Sequence, residues 1–166
     1  MVDIIKAGTQ HIPLIQEVAQ KTWPTTFGHI LSKVQISYML EMMYSTPSLE
    51  KQMGPKNHIF ILAMEGARTL GFASFETNHQ HSDKTKIHKI YILPEAQGKG
   101  VGKALIQYIG GEALKSNNGS LVLNVNRYNE AALRFYHRSG FVTVAEENIP
   151  IGQGYWMEDF VLEFKL

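Results

Sequence analysis

Along the chain the spacing of apolar positions switches repeatedly between alternation and a three-to-four-residue period, which predicts interleaved strands and helices. Val2 to Ala7 reads as a first strand. Thr9 then offers an N-cap to a helix with Ile12, Ile15, Val18 and Ala19 on one face. Pro13 suits its first turn, where amides lack intrahelical partners, and Trp23-Pro24 is expected to end it. Ser32 is placed to cap a second helix with Tyr38, Met39, Met42 and Met43 on its apolar side, closed by Thr46-Pro47-Ser48. His58 to Glu65 and Gly71 to Thr77 read as hairpin strands turning at Gly66, and Asn78 to Lys84 as a polar loop.

Lys86 to Leu93 carries apolar residues on both sides, the pattern of a strand covered on both faces. A glycine-rich turn follows, and beyond it Val101, Leu105, Tyr108 and Ile109 repeat at helical spacing toward Leu114, with Asn117-Asn118-Gly119 as the stop. The Gly110-Gly111 pair opposes this helix by about 1 kcal/mol per glycine. Leu121 to Val125 is the next strand. Asn129 caps a helix through Ser139, with Gly140 where a C′ glycine belongs. Phe141 to Val144 and Tyr155 to Phe164, separated by Pro150 and Gly152, read as two late strands that close an antiparallel part of the sheet.

The 166 residues suit one domain, residues 1–166, with a core that needs no staples. A formal net charge of +1 lacks the basic excess of a nucleic-acid binder, so no nucleic-acid partner is expected. With no cysteine there is no disulfide framework, thiolate metal site or cysteine nucleophile, and a reducing, cytoplasmic setting is the expectation. No apolar run approaches bilayer length and none resembles a leader, so no membrane partner is expected.

The chemistry concentrates in Gln97-Gly98-Lys99-Gly100-Val101-Gly102-Lys103, between a buried strand and a helix. Free amides and the positive end of the macrodipole favour an anion there, and glycine lets its oxygens approach the backbone. The glycines alone read equally as a tight connection. Two better-known phosphate motifs fail on the letters. The Walker pattern needs glycine at Gln97 and Ser or Thr at Ala104, and the dinucleotide pattern needs glycine at Lys103 or Leu105.

The run Ile90-Tyr91-Ile92-Leu93-Pro94-Glu95-Ala96-Gln97-Gly98-Lys99-Gly100-Val101-Gly102-Lys103-Ala104-Leu105 resembles the acetyl-CoA signature of the GNAT N-acetyltransferase superfamily. A second segment, Asn129-Glu130-Ala131-Ala132-Leu133-Arg134-Phe135-Tyr136-His137-Arg138-Ser139-Gly140-Phe141, is similar to the family's Asn…Ala…Tyr…Gly-Phe helix at the expected distance. The order of elements fits over nearly the whole chain, and the look is that of the bacterial spermidine/spermine-type enzymes. The resemblance implies an α+β fold. In it a central, mixed, mostly antiparallel twisted sheet is flanked by helices, and a splayed parallel strand pair forms the acetyl-CoA cleft.

It further implies that amides from Gln97 to Lys103 hold the diphosphate and that Ile92 and Leu93 pair with the pantetheine arm like an added strand. Tyr136 becomes the general acid that protonates the departing thiolate, and Asn129 positions the arm. From the residues alone Tyr136 reads first as a core aromatic, and Asn129 reads at least as readily as an N-cap. Acetyl-CoA is the implied co-substrate, with no metal. A primary amine, a polyamine first of all, is the implied acceptor, and two copies could join through the late strands.

Glu76 and His88 could assist deprotonation of that amine, or serve as a strand-end charge and a hydrogen-bonded sheet residue. Glu41, Glu50, Glu76 and Glu158 are available to a polycation, though each also reads as a surface charge. His79-x-His81, even with Asp83 and His88, lacks a metalloprotease spacing and reads as solvent-exposed loop. The competing functions are a non-catalytic CoA sensor, a transferase for peptide amines, and an enzyme using a longer acyl donor.

Overall fold

Seven strands hydrogen-bond in the order β1-β2-β3-β4-β5-β7-β6 in a computed structural model that describes residues 1–166. They are β1 (Asp3–Lys6), β2 (Ile59–Glu65), β3 (Arg68–Glu76), β4 (Lys84–Ile92), β5 (Ser120–Asn126), β6 (Val142–Gly152) and β7 (Tyr155–Lys165). Five helices accompany them: α1 (Ile12–Phe27), α2 (Lys33–Tyr44), α3 (Thr46–Met53), α4 (Val101–Lys115) and α5 (Glu130–Arg138). The β4–β5 pair is parallel, while β1–β2, β2–β3, β5–β7 and β6–β7 are antiparallel. This is the mixed, mostly antiparallel α+β sheet expected.

The chain forms two compact units, Met1–Glu76 with His88–Ile109 and Thr77–Ile87 with Gly110–Leu166. In the first, α1 buries Ile15, Val18, Ala19 and Trp23. Trp23 packs on Phe27 at 4.5 Å and on Tyr91 of β4 at 5.8 Å, and Phe72 of β3 meets both Tyr91 and Tyr44, at 5.9 and 6.1 Å. Edge-on and tilted contacts of this kind add to the area that the rings bury. The amide of Leu93 donates to the carbonyl of Leu70, which fixes the end of β4 against β3.

In the second unit, the parallel pairing runs from Lys84↔Ser120 to Ile87↔Leu123 and goes no further. Asn118 is buried and locks the turn before β5. Its Oδ1 accepts from the Asn78 amide at 2.9 Å and from the Thr85 hydroxyl at 2.6 Å, and its Nδ2 donates to the Ser116 carbonyl. The three-residue stop read from Asn117-Asn118-Gly119 is thus a structural tie between a loop and a strand. Strand β6 ends the strand order, and Val142 to Asn148 are exposed along it.

Several boundaries depart from the sequence reading. Helix α1 begins at Ile12 after a 3-10 turn, Thr9–His11, so Thr9 opens that turn and caps no helix. Pro24 lies inside α1, which gives up the amide bond to Gln20 and continues to Phe27 before Gly28 donates back to the Pro24 carbonyl. Thr46-Pro47-Ser48 opens α3 rather than closing a helix: Ser45 caps it by accepting from the Ser48 amide at 3.3 Å, and Pro47 stands in the first turn, where its missing amide costs nothing. Strand β3 starts at Arg68, three residues early. Strand β6 runs through Pro150 to Gly152. Helix α4, by contrast, crosses Gly110-Gly111 without a break, as the spacing toward Leu114 predicts.

A Cβ built on Gly71 would stand 2.6 Å from the Tyr91 carbonyl oxygen and 3.1 Å from the Ile92 Cα, both main-chain atoms. Gly71→Ala therefore forces β3 from β4, and thermal unfolding should show a loss of about 1–3 kcal/mol, whereas Gly111→Ala, inside α4 with nothing within 4 Å, should lose nothing.

Candidate active site

The glycine turn is built by its flanks. Strand β4 ends at Ile92, and a 3-10 turn, Pro94–Ala96, anchors the next stretch through the buried Leu93 and Ala96. On the far side Val101 and Leu105 are buried in the first turns of α4. Between these anchors Gln97 to Gly100 are exposed, and Gly98 and Gly100 adopt φ of +79° and +78°. That region disfavours any residue with a Cβ, above all a branched one. The Gly100 carbonyl accepts the amide of Ala104 at 3.0 Å, so Gly100 is the residue from which α4 starts. The amides of Gly98 to Lys103 donate to no backbone acceptor in the chain. Six consecutive donors at the positive end of a fifteen-residue helix, beside the exposed Lys99 and Lys103, suit an anionic group such as a phosphate.

The neighbouring strand end is more committed than expected. The Leu93 amide is taken by Leu70 and its carbonyl accepts from Ala96 at 2.9 Å, so Leu93 is engaged within the chain on both counts. Alternation along a strand turns the main-chain groups of Ile92 the other way.

In the second unit, Asn129 caps α5, its Oδ1 accepting from the Ala132 amide at 3.2 Å. Tyr136, the one buried residue of α5, packs against Phe135 at 5.2 Å and edge-on to Phe141 at 5.4 Å. The cap and core-aromatic readings of these two residues are therefore both realised. Neither excludes a polar role for the Asn129 Nδ2 or the Tyr136 hydroxyl.

Glu76 and His88 come together: His88 Nε2 lies 3.0 Å from Glu76 Oε1. His58, which nothing in the local sequence singled out, joins them, its Nε2 3.7 Å from the same oxygen and its ring stacked on His88 at 3.8 Å between centroids. Burial, then the neighbouring His58, lowers the His88 pKa to about 3 against the pull of Glu76. Glu41, Glu50 and Glu158 are exposed surface carboxylates.

Two further polar groups were missed. Asn124 donates to Asp159 and to Glu147, each at 3.1 Å, and accepts from Lys86. Burial raises the Asp159 pKa and lowers that of Lys86. Asp159 shares a strand side with Met157 and Val161, and a carboxylate in such a run is a readable sign of a buried network. Lys89, in the first unit, donates to Gln52 Oε1 at 2.6 Å and lies 5.8 and 5.9 Å from the ring centroids of Tyr44 and Phe60. Burial, with a smaller contribution from Lys56, lowers its pKa to about 8.

Residues 30–157 match the family model described as the acetyltransferase (GNAT) domain. The chain is 25% identical over 146 residues to the spermidine N(1)-acetyltransferase of Thermoplasma acidophilum, which covers 84% of this chain and 88% of that one. It is 26% identical over 109 residues to the L-methionine sulfoximine/L-methionine sulfone acetyltransferase of Salmonella typhimurium, 64% of each. The crystal structure of the PaiA N-acetyltransferase of T. acidophilum in complex with coenzyme A shares the fold, with a TM-score of 0.83 and 23% identity over 100% of this chain and 99% of that one.

The depressed pKa of Lys89 means that between about pH 8 and 10.5 the unfolded chain binds more protons than the folded one. Stability should rise with pH across that window, by up to about 1.4 kcal/mol per unit. Denaturant melts of wild type and Lys89→Met at pH 8 to 10 should show this slope in the former and a flatter one in the latter.

Proposed function

The chain belongs to the GNAT acetyltransferase family, as an acetyl-CoA-dependent N-acetyltransferase, and we propose that its acceptor is a small primary amine, a polyamine first of all. The observation that carries the coenzyme half of this reading is the run of unengaged amides from Gly98 to Lys103 at the start of α4. When bound, acetyl-CoA supplies an activated acyl group on a thiol leaving group.

In this reading the amides of Gly98, Lys99, Gly100, Val101, Gly102 and Lys103 grip the diphosphate and the two lysines add charge, while the Gln97 amide, expected to join them, is taken by the Pro94 carbonyl at 3.3 Å. Main-chain groups of Ile92 pair with the pantetheine arm as a strand neighbour would. Leu93 contributes less than its position suggests, because its amide and carbonyl serve the fold. The Asn129 Nδ2 orients the arm while its Oδ1 caps α5. Tyr136 delivers its hydroxyl proton to the thiolate as the carbon–sulfur bond breaks, and the buried aromatic packing around it keeps the ring in place. The amine attacks in its neutral form, since an ammonium has no lone pair to offer.

The likeness to a spermidine N(1)-acetyltransferase over 84% of the chain supports the polyamine acceptor. A second reading, an amino-acid-like amine, draws on the likeness to the methionine sulfoximine enzyme and is confined to 64% of the chain.

Thiol release from acetyl-CoA, followed with a panel of polyamines, amino acids and their analogues, separates the two. Turnover should be fastest with spermidine or spermine, and a preference for amino-acid amines would overturn the first reading. Tyr136→Phe should lower kcat by about 10²-fold with the KM for acetyl-CoA little changed. Gly100→Val, a branched residue forced to positive φ, should weaken coenzyme A binding by at least about tenfold in calorimetry, through distortion of the amide run.

A further inference from the structure

We propose that His58, Glu76 and His88 form a binding site for one divalent first-row transition ion of the zinc class, with two imidazole nitrogens and a carboxylate oxygen as protein ligands.

The three residues come from neighbouring stretches of the first unit. The β2–β3 register pairs Ile59 with Phe75, and the next rung sets His58, just before β2, opposite Glu76, the last residue of β3. His88 stands in β4. One ligand atom from each lies within 4.8 Å of those of the other two. No other group of three or more histidine, aspartate and glutamate residues in the protein meets that condition, the His79-x-His81 pair included.

The distances suit coordination. Two ligands each 2.0–2.1 Å from a tetrahedral ion stand about 3.4 Å apart. The histidine Nε2 atoms lie 3.0 and 3.7 Å from Glu76 Oε1 and bracket that value. A simple hydrogen bond needs only one imidazole on the carboxylate. Here two nearly parallel rings, 13° apart, direct the same nitrogen at the same oxygen. Seating an ion requires the rings to fan apart by on the order of 1 Å, which small side-chain rotations allow.

The surroundings suit it too. The side chains of His58, Glu76 and His88 are 12%, 25% and 19% exposed. That shelters the charges from bulk water while leaving a way in. A dication with one carboxylate and two neutral imidazoles keeps a net positive charge and a fourth position for water. Nitrogen and oxygen donors of this kind select zinc or a neighbouring transition ion over calcium or magnesium, which prefer oxygen alone.

The test uses Zn²⁺ alone on the full chain, without coenzyme. Calorimetry of the metal-free protein should give one equivalent of saturable binding, and the melting temperature should rise as Zn²⁺ is added. His58→Ala, His88→Ala and the isosteric Glu76→Gln should each abolish that stoichiometric phase, and the double variant His79→Ala/His81→Ala should keep it. In wild-type protein, Zn²⁺ should shift the imidazole nuclear magnetic resonances of His58 and His88 and leave those of His79 and His81 in place. This last measurement decides the matter if a variant does not fold. No saturable binding by wild type, binding that survives all three substitutions, or loss on changing His79 and His81 would each overturn the proposal. All three outcomes can be read with turnover intact or absent, so they stand apart from the acetyltransferase assignment.

Discussion

The constraint on which the rest depends is a helix that begins at a glycine. Backbone amides are costly to leave without partners, and a chain normally turns them inward, onto side chains or onto water. At the start of α4 the sequence prevents the first two remedies. Gly98 and Gly100 bring no side chain that could cap, and both hold positive φ values. Buried Leu93 and Ala96 on one side and Val101 and Leu105 on the other keep the segment from collapsing. The amides of Gly98 to Lys103 are thereby left without a backbone acceptor, and in the function proposed above that lowers the ordering cost of binding the diphosphate.

Much of the fold was readable from the letters because apolar period, cap residues and glycines agree with one another. Every strand and every long helix was anticipated except α3, and the glycine turn fell where the sequence put it. Prolines account for most of the errors. Three of them read as boundaries, yet Pro24 lies within α1, Pro47 lies in the first turn of α3, and Pro150 lies inside β6. In each case the missing amide is cheap for a local reason: a single bond lost near a helix end, a first-turn position without a partner, and a place on the terminal strand. Local sequence reveals that an amide is absent. Only the surrounding structure reveals whether one was needed.

The candidate site divides the same way. The segment Gln97 to Lys103 and the Asn129–Tyr136 helix could each be placed from the letters, because one helix turn or one helix face holds each set, and the coenzyme roles of these residues are what we propose. Groups assembled across strands were not. Glu76 and His88 were noticed singly, but His58 joins them only through the hairpin register. Likewise Asn124, Asp159, Glu147 and Lys86 meet across four strands, and their shifted acidities follow from burial that no window of sequence measures.

The exposed run along β6 bears on how the protein behaves in a crowded solution. An outermost strand with Val142 and Val144 open to water offers a template onto which a stray extended segment could zip. Glu146 and Glu147 place adjacent negative charges in the middle of that template, and Pro150 removes a donor from its far end. Resistance to fibril-like association is in this way a property of the rim of the sheet and not of its core.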